Sequence, residues 1–328
     1  MRLIDVARCP RCLGAIAPLG ERYACQNAAC GLSKRSFMSV SGQPVLVDFE
    51  ASIFTEGAFQ DGRGSVRPRD DTGQSLKTRL RELVIGSNPV AAAMCARLVR
   101  EAKRVRPRPA ILVIGGGAVG SGASELYERD DIDLVCTDVY ASRHTHYVAD
   151  AHKLPFATGT FDAIWIQAVL EHVLDPAIVV AEIHRVLRPG GLVYADTPFM
   201  QQVHEGAYDF TRFTLSGHRW LFRSFEEVDS GPVGGAGTAT IWSIRYLLRA
   251  LGAPDKAATA LTLPFFALRF LDRVARRRNN ADAACGVYFM GRRSEVAIRP
   301  ADMLAYYERQ AAKPRTTRRA EGLTAAGA

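Results

Sequence analysis

The sequence predicts an α/β fold: a mostly parallel sheet with crossover helices, preceded by a small cysteine-bearing module. Three observations carry that expectation. Short apolar runs alternate with capped, helix-like stretches from residue 88 onward, a glycine-rich turn follows the first of those runs, and four of the seven cysteines fall within the first thirty residues. At 328 residues and 48% hydrophobic content, the chain is long enough for one large domain with a full-sized core plus a smaller module. No stretch approaches the ~20 apolar residues that span a bilayer, and the first residues lack the apolar run of a signal peptide, so a cytoplasmic location is expected.

The charge is unevenly placed. Residues 240–328 hold 16 Lys/Arg against 7 Asp/Glu, whereas residues 1–239 are close to neutral. Such a bias suits either a solvated arginine-rich face or a surface that meets phosphate, whether nucleic acid, anionic lipid or a lipid-linked diphosphate.

Taken in order, the first element is Cys9-Pro-Arg-Cys12 with Cys25-Gln-Asn-Ala-Ala-Cys30. Two close pairs separated by a twelve-residue excursion suit two knuckles that bring Cys9, Cys12, Cys25 and Cys30 around one tetrahedral zinc ion, stabilising a module too small for a core of its own. Gly42 to Phe49 reads as a turn and a short apolar strand that closes this module, and residues 55–74, rich in Gly, Asp and Arg, read as a linker. Asn88-Pro89 supplies an N-cap and first-turn proline for a helix to about Arg104, with Val90, Met94 and Leu98 on one face.

Beyond it, Ile111–Ile114, Leu134–Thr137, Phe161–Ile166 and Gly191–Asp196 read as strands, with a helix-like Ser121–Glu128. A second helix is capped by Asp175, begun by Pro176 and stopped by Pro189-Gly190-Gly191. Residues 241–278 read as amphipathic, arginine-rich helices that pack as a lid or lie on a membrane surface, and Ala283–Gly291 as a late strand. The last eighteen residues read as disordered.

The chemistry-bearing residues begin with Gly115-Gly-Gly-Ala-Val-Gly120-Ser-Gly122, where the backbone turns sharply and approaches a ligand that any Cβ would strike. Asp138, 18 residues after Gly120, stands at the end of the second strand, where an acid accepts ribose hydroxyls. NAD and S-adenosylmethionine both carry that ribose, and these two features do not separate them.

The stretches that follow do. Asp150-Ala-His-Lys-Leu-Pro-Phe156, Phe161-Asp162-Ala-Ile-Trp165, Val169-Leu-Glu-His-Val-Leu-Asp-Pro176 and Arg185-Val-Leu-Arg-Pro-Gly-Gly191 occur in that order. Over residues 111–198 the chain resembles the class I methyltransferases of the methyltransferase-11 type, and residues 1–54 resemble the Trm112-like zinc ribbon found at the front of some methyltransferases. The resemblance implies a Rossmann-like, seven-stranded, mostly parallel sheet in residues 75–298, with S-adenosylmethionine at the carboxyl ends of the strands. Asp138 would hold the ribose, Asp150 and Ala151 the adenine, and Gly115, Gly117, Gly120 and Gln167 would border the donor. Two departures are visible: Val113 stands where an acid usually precedes the glycine loop, and that loop is one residue longer. Residues 299–328 remain as a basic helix and tail.

His204-Glu-Gly-Ala-Tyr-Asp-Phe-Thr-Arg-Phe-Thr214 follows the fifth strand at the edge where open α/β sheets bind ligands. It resembles a run found in methyltransferases of polysaccharide and lipid-linked glycan synthesis, with Ala207 where proline is usual, which implies a glycan or small-molecule hydroxyl acceptor. Methyl transfer needs a base only when the nucleophile carries a proton, and His172, His204 and Asp209 are the candidates. Tyr208 and Arg212 are expected at the acceptor, although Arg212 equally suits a pair with Asp209, and His172 equally suits a structural place at its turn.

Three rivals stand beside this reading. An RNA methyltransferase would suit the ribbon and basic C-terminus, but Gln167-Ala168-Val169 stands where a base-amine methylating motif would be. A NAD-dependent oxidoreductase shares the glycine turn, and a binding protein that has kept the fold without activity shares everything.

Overall fold

The computed structural model describes residues 3–20, 22–60 and 88–312. In the N-terminal module, α1 (Leu3–Val6) leads into the first cysteine knuckle, and β1 (Ile16–Leu19), β2 (Arg22–Cys25) and β3 (Ser36–Phe37) form a small antiparallel sheet. The expectation that Gly42–Phe49 closes this sheet is corrected. Instead β4 (Ser39–Val40) and β5 (Gln43–Leu46) form a hairpin that joins the main sheet, with Val45 beside Val148 and Leu46 beside Ala149 in parallel register. The reason is burial: Val45 and Leu46 are both essentially inaccessible there, and they cover an edge whose backbone groups would otherwise lack partners.

Of the expected linker, Glu56–Gln60 is helical (α2) and packs Phe59 against Val45, Val47 and Val148. Residues 61–74 lie outside the described residues, as does the tail after 312.

Helix α3 (Pro89–Val105) starts as expected, the Asn88 side chain accepting from the Ala91 N–H at 3.0 Å. Its buried face is Ala91, Cys95, Leu98, Val99 and Ala102, one position round from the Val90–Met94 stripe. Small side chains let this helix lie close on the sheet, and Val90 and Met94 fall to its margin. The strands β6 (Ala110–Ile114), β7 (Asp133–Asp138), β8 (Tyr147–Ala149), β9 (Phe161–Gln167) and β10 (Leu187–Pro198) run parallel. Between them lie α4 (Ser124–Glu128), shorter than expected by a turn, and α5 (Pro176–Val186), whose Asp175 cap accepts from Ala177 and Ile178. No helix joins β7 to β8, because the intervening segment is only eight residues.

After α6 (Leu215–Leu221), strand β11 (Phe225–Val233) leads to a helical excursion: α7 (Ala236–Ala250), α8 (Asp255–Thr262), α9 (Leu268–Leu271) and α10 (Arg277–Asp282). Strand β12 (Gly286–Arg293) then inserts antiparallel between β10 and β11, and α11 (Asp302–Ala312) ends the described chain. The sheet order is β11-β12-β10-β9-β6-β7-β8-β5-β4, nine strands among the described residues where seven were expected. The two extra strands are the N-terminal hairpin.

Alternation within the strands builds two cores. Ile111, Val113, Ala163 and Trp165 face α3, while Leu112, Ile114, Ile164 and Ile166 face α5 and the N-terminal module. Chain order reverses between β6 and β9, which opens a crevice at their carboxyl ends. Among the described residues, no helix is long and apolar enough to cross a membrane.

Candidate functional site

A cavity of about 490 Å³ occupies that crevice, and the last residues of five parallel strands open onto it: Ile114, Asp138, Ala149, Gln167 and Pro198, with Asp196 two residues before the end of β10. The turn after β6 is shaped by glycine. Gly115 has φ +77°, and a Cβ there would lie 2.2 Å from Val169 Cγ2. A Cβ on Gly117 would lie 2.5 Å from the Tyr140 ring and 2.8 Å from Asp138 Oδ2. That closeness lets the Gly117 N–H donate to Asp138 Oδ2 at 2.8 Å, while Oδ1 accepts from the Val139 N–H at 2.7 Å. The acid at the tip of β7 is thus fixed in place at the wall of the cavity. Gly117 itself stands behind Asp138, whereas Gly115 and Gly120 line the cavity.

At the tip of β8, Asp150 and Ala151 also line it. Burial pushes the Asp150 carboxyl up, but hydrogen bonds from His152 and from Ser52 Oγ outweigh it and hold the group below the usual carboxylate range. Gln167 donates to Asp196 at 3.1 Å and to the Ser121 carbonyl at 3.2 Å. Asp196 also receives Tyr194 Oη at 2.9 Å and Asn88 Nδ2 at 3.3 Å, yet full burial keeps its carboxyl up at about 6.

The opposite wall is made by two histidines. The ring centroids of His172 and His204 are 5.0 Å apart and nearly perpendicular, and both line the cavity with Tyr208. Burial lowers the His172 pKa. Asp209 does not face the cavity. Its carboxylate is 1% exposed, accepts from the His204 backbone N–H at 2.8 Å, and is gripped by both terminal nitrogens of Arg212. Burial would raise Asp209, but that guanidinium holds it at about 2. Arg212 also donates to the carbonyls of Gln201 and Gln202. Its donors are spent inside the loop, so the pair with Asp209 is the arrangement found.

The sequence did not single out Glu171, which is 1% exposed, lines the cavity, and is pushed by burial up to about 8. Nor did it single out Ser52, Ile53 and Phe54. Ile53 and Phe54 form part of the cavity wall, and the Phe54 ring stacks on Tyr208 with centroids 6.0 Å apart. The N-terminal module therefore reaches the site. Nothing in the local pattern of either stretch reports that approach, which depends on β5 joining the sheet.

The Sγ atoms of Cys9, Cys12, Cys25 and Cys30 all lie within 4.8 Å of one another, with Cys9–Cys30 at 3.9 Å and Cys12–Cys25 at 3.5 Å. Sulfurs about 2.3 Å from one tetrahedral ion are separated by about 3.8 Å. Arg11, between the first two cysteines, donates to both oxygens of Asp48 at 2.7 and 2.5 Å, which couples the knuckle to the segment that ends in Phe54.

Residues 114–195 match the model of a family described as a methyltransferase domain. Over that stretch, about a quarter of its length, the chain is similar to methyltransferase domains. Over 129 residues it is 34% identical to the ubiquinone/menaquinone biosynthesis C-methyltransferase of Desulfotalea psychrophila, covering 32% of this chain and 50% of that protein. It is 30% identical to the malonyl-[acyl-carrier protein] O-methyltransferase of Laribacter hongkongensis over 122 residues, 30% and 41% of the two chains. Among solved structures, phosphoethanolamine N-methyltransferase 2 of Haemonchus contortus superposes with a TM-score of 0.44 at 14% identity, covering 71% of this chain and 61% of that one. The chain spans half or less of the length of these curated relatives. The matched stretch runs from the last residue of β6 into β10.

Proposed function

We propose that the protein transfers a methyl group from S-adenosylmethionine to an oxygen of a small-molecule or lipid-linked saccharide acceptor. The observation that carries this reading is Asp138, pinned by the Gly117 N–H at the tip of β7 and facing the same cavity as Asp150 and Ala151 at the tip of β8. An adenosine fits that set: a carboxylate at the cavity wall for vicinal hydroxyls, and a backbone N–H with a second carboxylate one strand further for the base. Gly115, Gly120 and Gln167 border the remaining length of the donor.

Bound there, S-adenosylmethionine supplies a methyl group on a positively charged sulfur. The chain's own part is to align and desolvate. Glu171, His172, His204 and Tyr208 surround the acceptor side, with Phe54 closing it from the N-terminal module. Asp209 and Arg212 act as positioning residues that lock the loop carrying His204. Cys9, Cys12, Cys25 and Cys30 hold zinc, which keeps residues 48–54 in register against the cavity.

A lipid-linked acceptor is favoured by the helical excursion. Leu247, Leu251, Leu261, Leu263, Phe265 and Phe270 are exposed on it, interspersed with Arg245, Arg249, Arg269 and Arg273. Apolar side chains among arginines suit an anionic membrane surface. The excursion is tied to the acceptor loop, since Tyr246 Oη donates to the Val203 carbonyl at 2.8 Å and Gln202 donates to Ser243 at 3.1 Å.

The test is incubation of the zinc-replete protein with methyl-labelled S-adenosylmethionine and fractionated cell extract. Label in the lipid-linked glycan or small-molecule fraction supports the reading. Label confined to RNA, or turnover of a nicotinamide cofactor with no label transferred, overturns it.

A further inference from the structure

Three groups that can each offer a lone pair to a metal ion lie close together on the acceptor side of the cavity. Glu171 Oε1 lies 3.6 Å from His172 Nε2 and 3.9 Å from His204 Nε2. The tautomers follow from the partners on the far side of each ring. His172 Nδ1 is 2.7 Å from the Tyr208 carbonyl, and His204 Nδ1 is 3.2 Å from the Gln202 carbonyl and 3.4 Å from Asp209 Oδ2. Carbonyl and carboxylate oxygens only accept, so each Nδ1 carries the proton and each Nε2 presents a lone pair. Both Glu171 oxygens are buried and have no hydrogen-bond partner among the described residues.

Two buried carboxyl oxygens without a partner, beside two imidazole lone pairs, form a set that a metal cation between them would satisfy. Separations of 3.6 and 3.9 Å are too long for a shared proton to bridge. Two ligands each about 2.1 Å from one ion lie about 3.4 Å apart in tetrahedral geometry and at most about 4.2 Å, so both separations fall within reach of a shared ion after a small closing movement. The surroundings are those of a ligand set: each imidazole is oriented by a hydrogen bond through its other nitrogen, and Arg212 in turn fixes Asp209. The Glu171 carbonyl is also tied down, accepting from the Phe210 N–H at 2.7 Å.

We propose that Glu171, His172 and His204 hold a divalent first-row transition ion, whose open coordination positions face the cavity and take an oxygen of the acceptor. Two nitrogens and one carboxylate are the donor set for such an ion with sites to spare. The ion's role in transfer rests on the function proposed above. A hydroxyl bound to it loses its proton to water. The oxygen lone pair then forms the new O–C bond while the S–C bond breaks and its electron pair stays on sulfur. In this arrangement the imidazoles act through the ion and not as free bases.

The test is a Co²⁺ titration of the full chain with its four cysteines already filled with zinc, which cobalt displaces poorly. The expected result is one further equivalent of cobalt per chain, with visible d–d absorption and no sulfur-to-metal charge-transfer band. Glu171→Gln and His204→Gln should each weaken that second site by more than about 100-fold, beyond the 10–100-fold typical of lost outer partners. Calorimetry with S-adenosylhomocysteine on the same samples reports whether each variant is folded, and His172→Gln replaces either single variant that is not. No second equivalent in wild-type protein that binds S-adenosylhomocysteine overturns the ion alone. A second ion retained by the folded variants overturns the ligand assignment. Absence of donor binding in wild type strikes the donor reading instead.

Discussion

His218 on α6 offers a stability test that does not depend on any ligand. The imidazole is 1% exposed, wedged between the Phe213 and Phe222 rings, and neither of its nitrogens has a hydrogen-bond partner among the described residues. Burial alone drives its pKa from 6.5 down to about 3. The unfolded chain therefore binds a proton that the folded chain refuses throughout that interval, so stability falls as the pH drops from 6.5 toward 3. At pH 5 the loss is about 1.5 pH units, or about 2 kcal/mol at 1.36 kcal/mol per unit. His218→Phe keeps the aromatic contacts and removes the titration. Urea unfolding of both proteins at pH 7.5 and pH 5 gives a difference of differences in which every other titrating group cancels. The variant should lose about 2 kcal/mol less than wild type on acidification. Equal losses in the two proteins would refute the account of this ring as an unpaired, desolvated base.

Four further outcomes follow from the geometry. Asp138→Asn turns an amide N–H₂ toward either Gly117 or Val139, both donors, and removes an acceptor from the ribose, so the dissociation constant for S-adenosylhomocysteine should rise about 30-fold, or about 2 kcal/mol. Gly115→Ala sets a side chain at φ +77° and against Val169, and denaturant unfolding should show a loss of at least about 1–2 kcal/mol. Stripping the ribbon metal with a chelator should weaken donor binding about tenfold, because Arg11 and Asp48 no longer hold Ser52 against Asp150. Flotation with anionic vesicles should capture the protein at low salt and release it at high salt, and Leu263→Glu with Phe265→Glu should abolish capture.

Much of this architecture could be read from local pattern. The caps at Asn88 and Asp175, the first-turn prolines and the apolar strand cores each rest on a few adjacent residues whose preferences agree with the fold. The acid and glycines of the crevice were legible for the same reason: a sharp turn and a strand-end carboxylate are local features. What escaped depends on distant packing. Leu46 meets Ala149 across about a hundred residues of chain, and that pairing adds two strands and carries Phe54 to Tyr208. Glu171 sits in a run that reads as a turn before a helix, and nothing adjacent says its carboxylate points inward toward His204, 33 residues later. Asp209 and Arg212 were visible as chemistry, but only the folded loop shows their charges spent on each other.

Calorimetric titration of S-adenosylhomocysteine into the pure, zinc-replete chain tests the central claim most directly. Saturable uptake of one equivalent per chain is expected, displaced by S-adenosylmethionine and indifferent to NADH. No uptake of either sulfur nucleoside, or displacement by NADH, would contradict it.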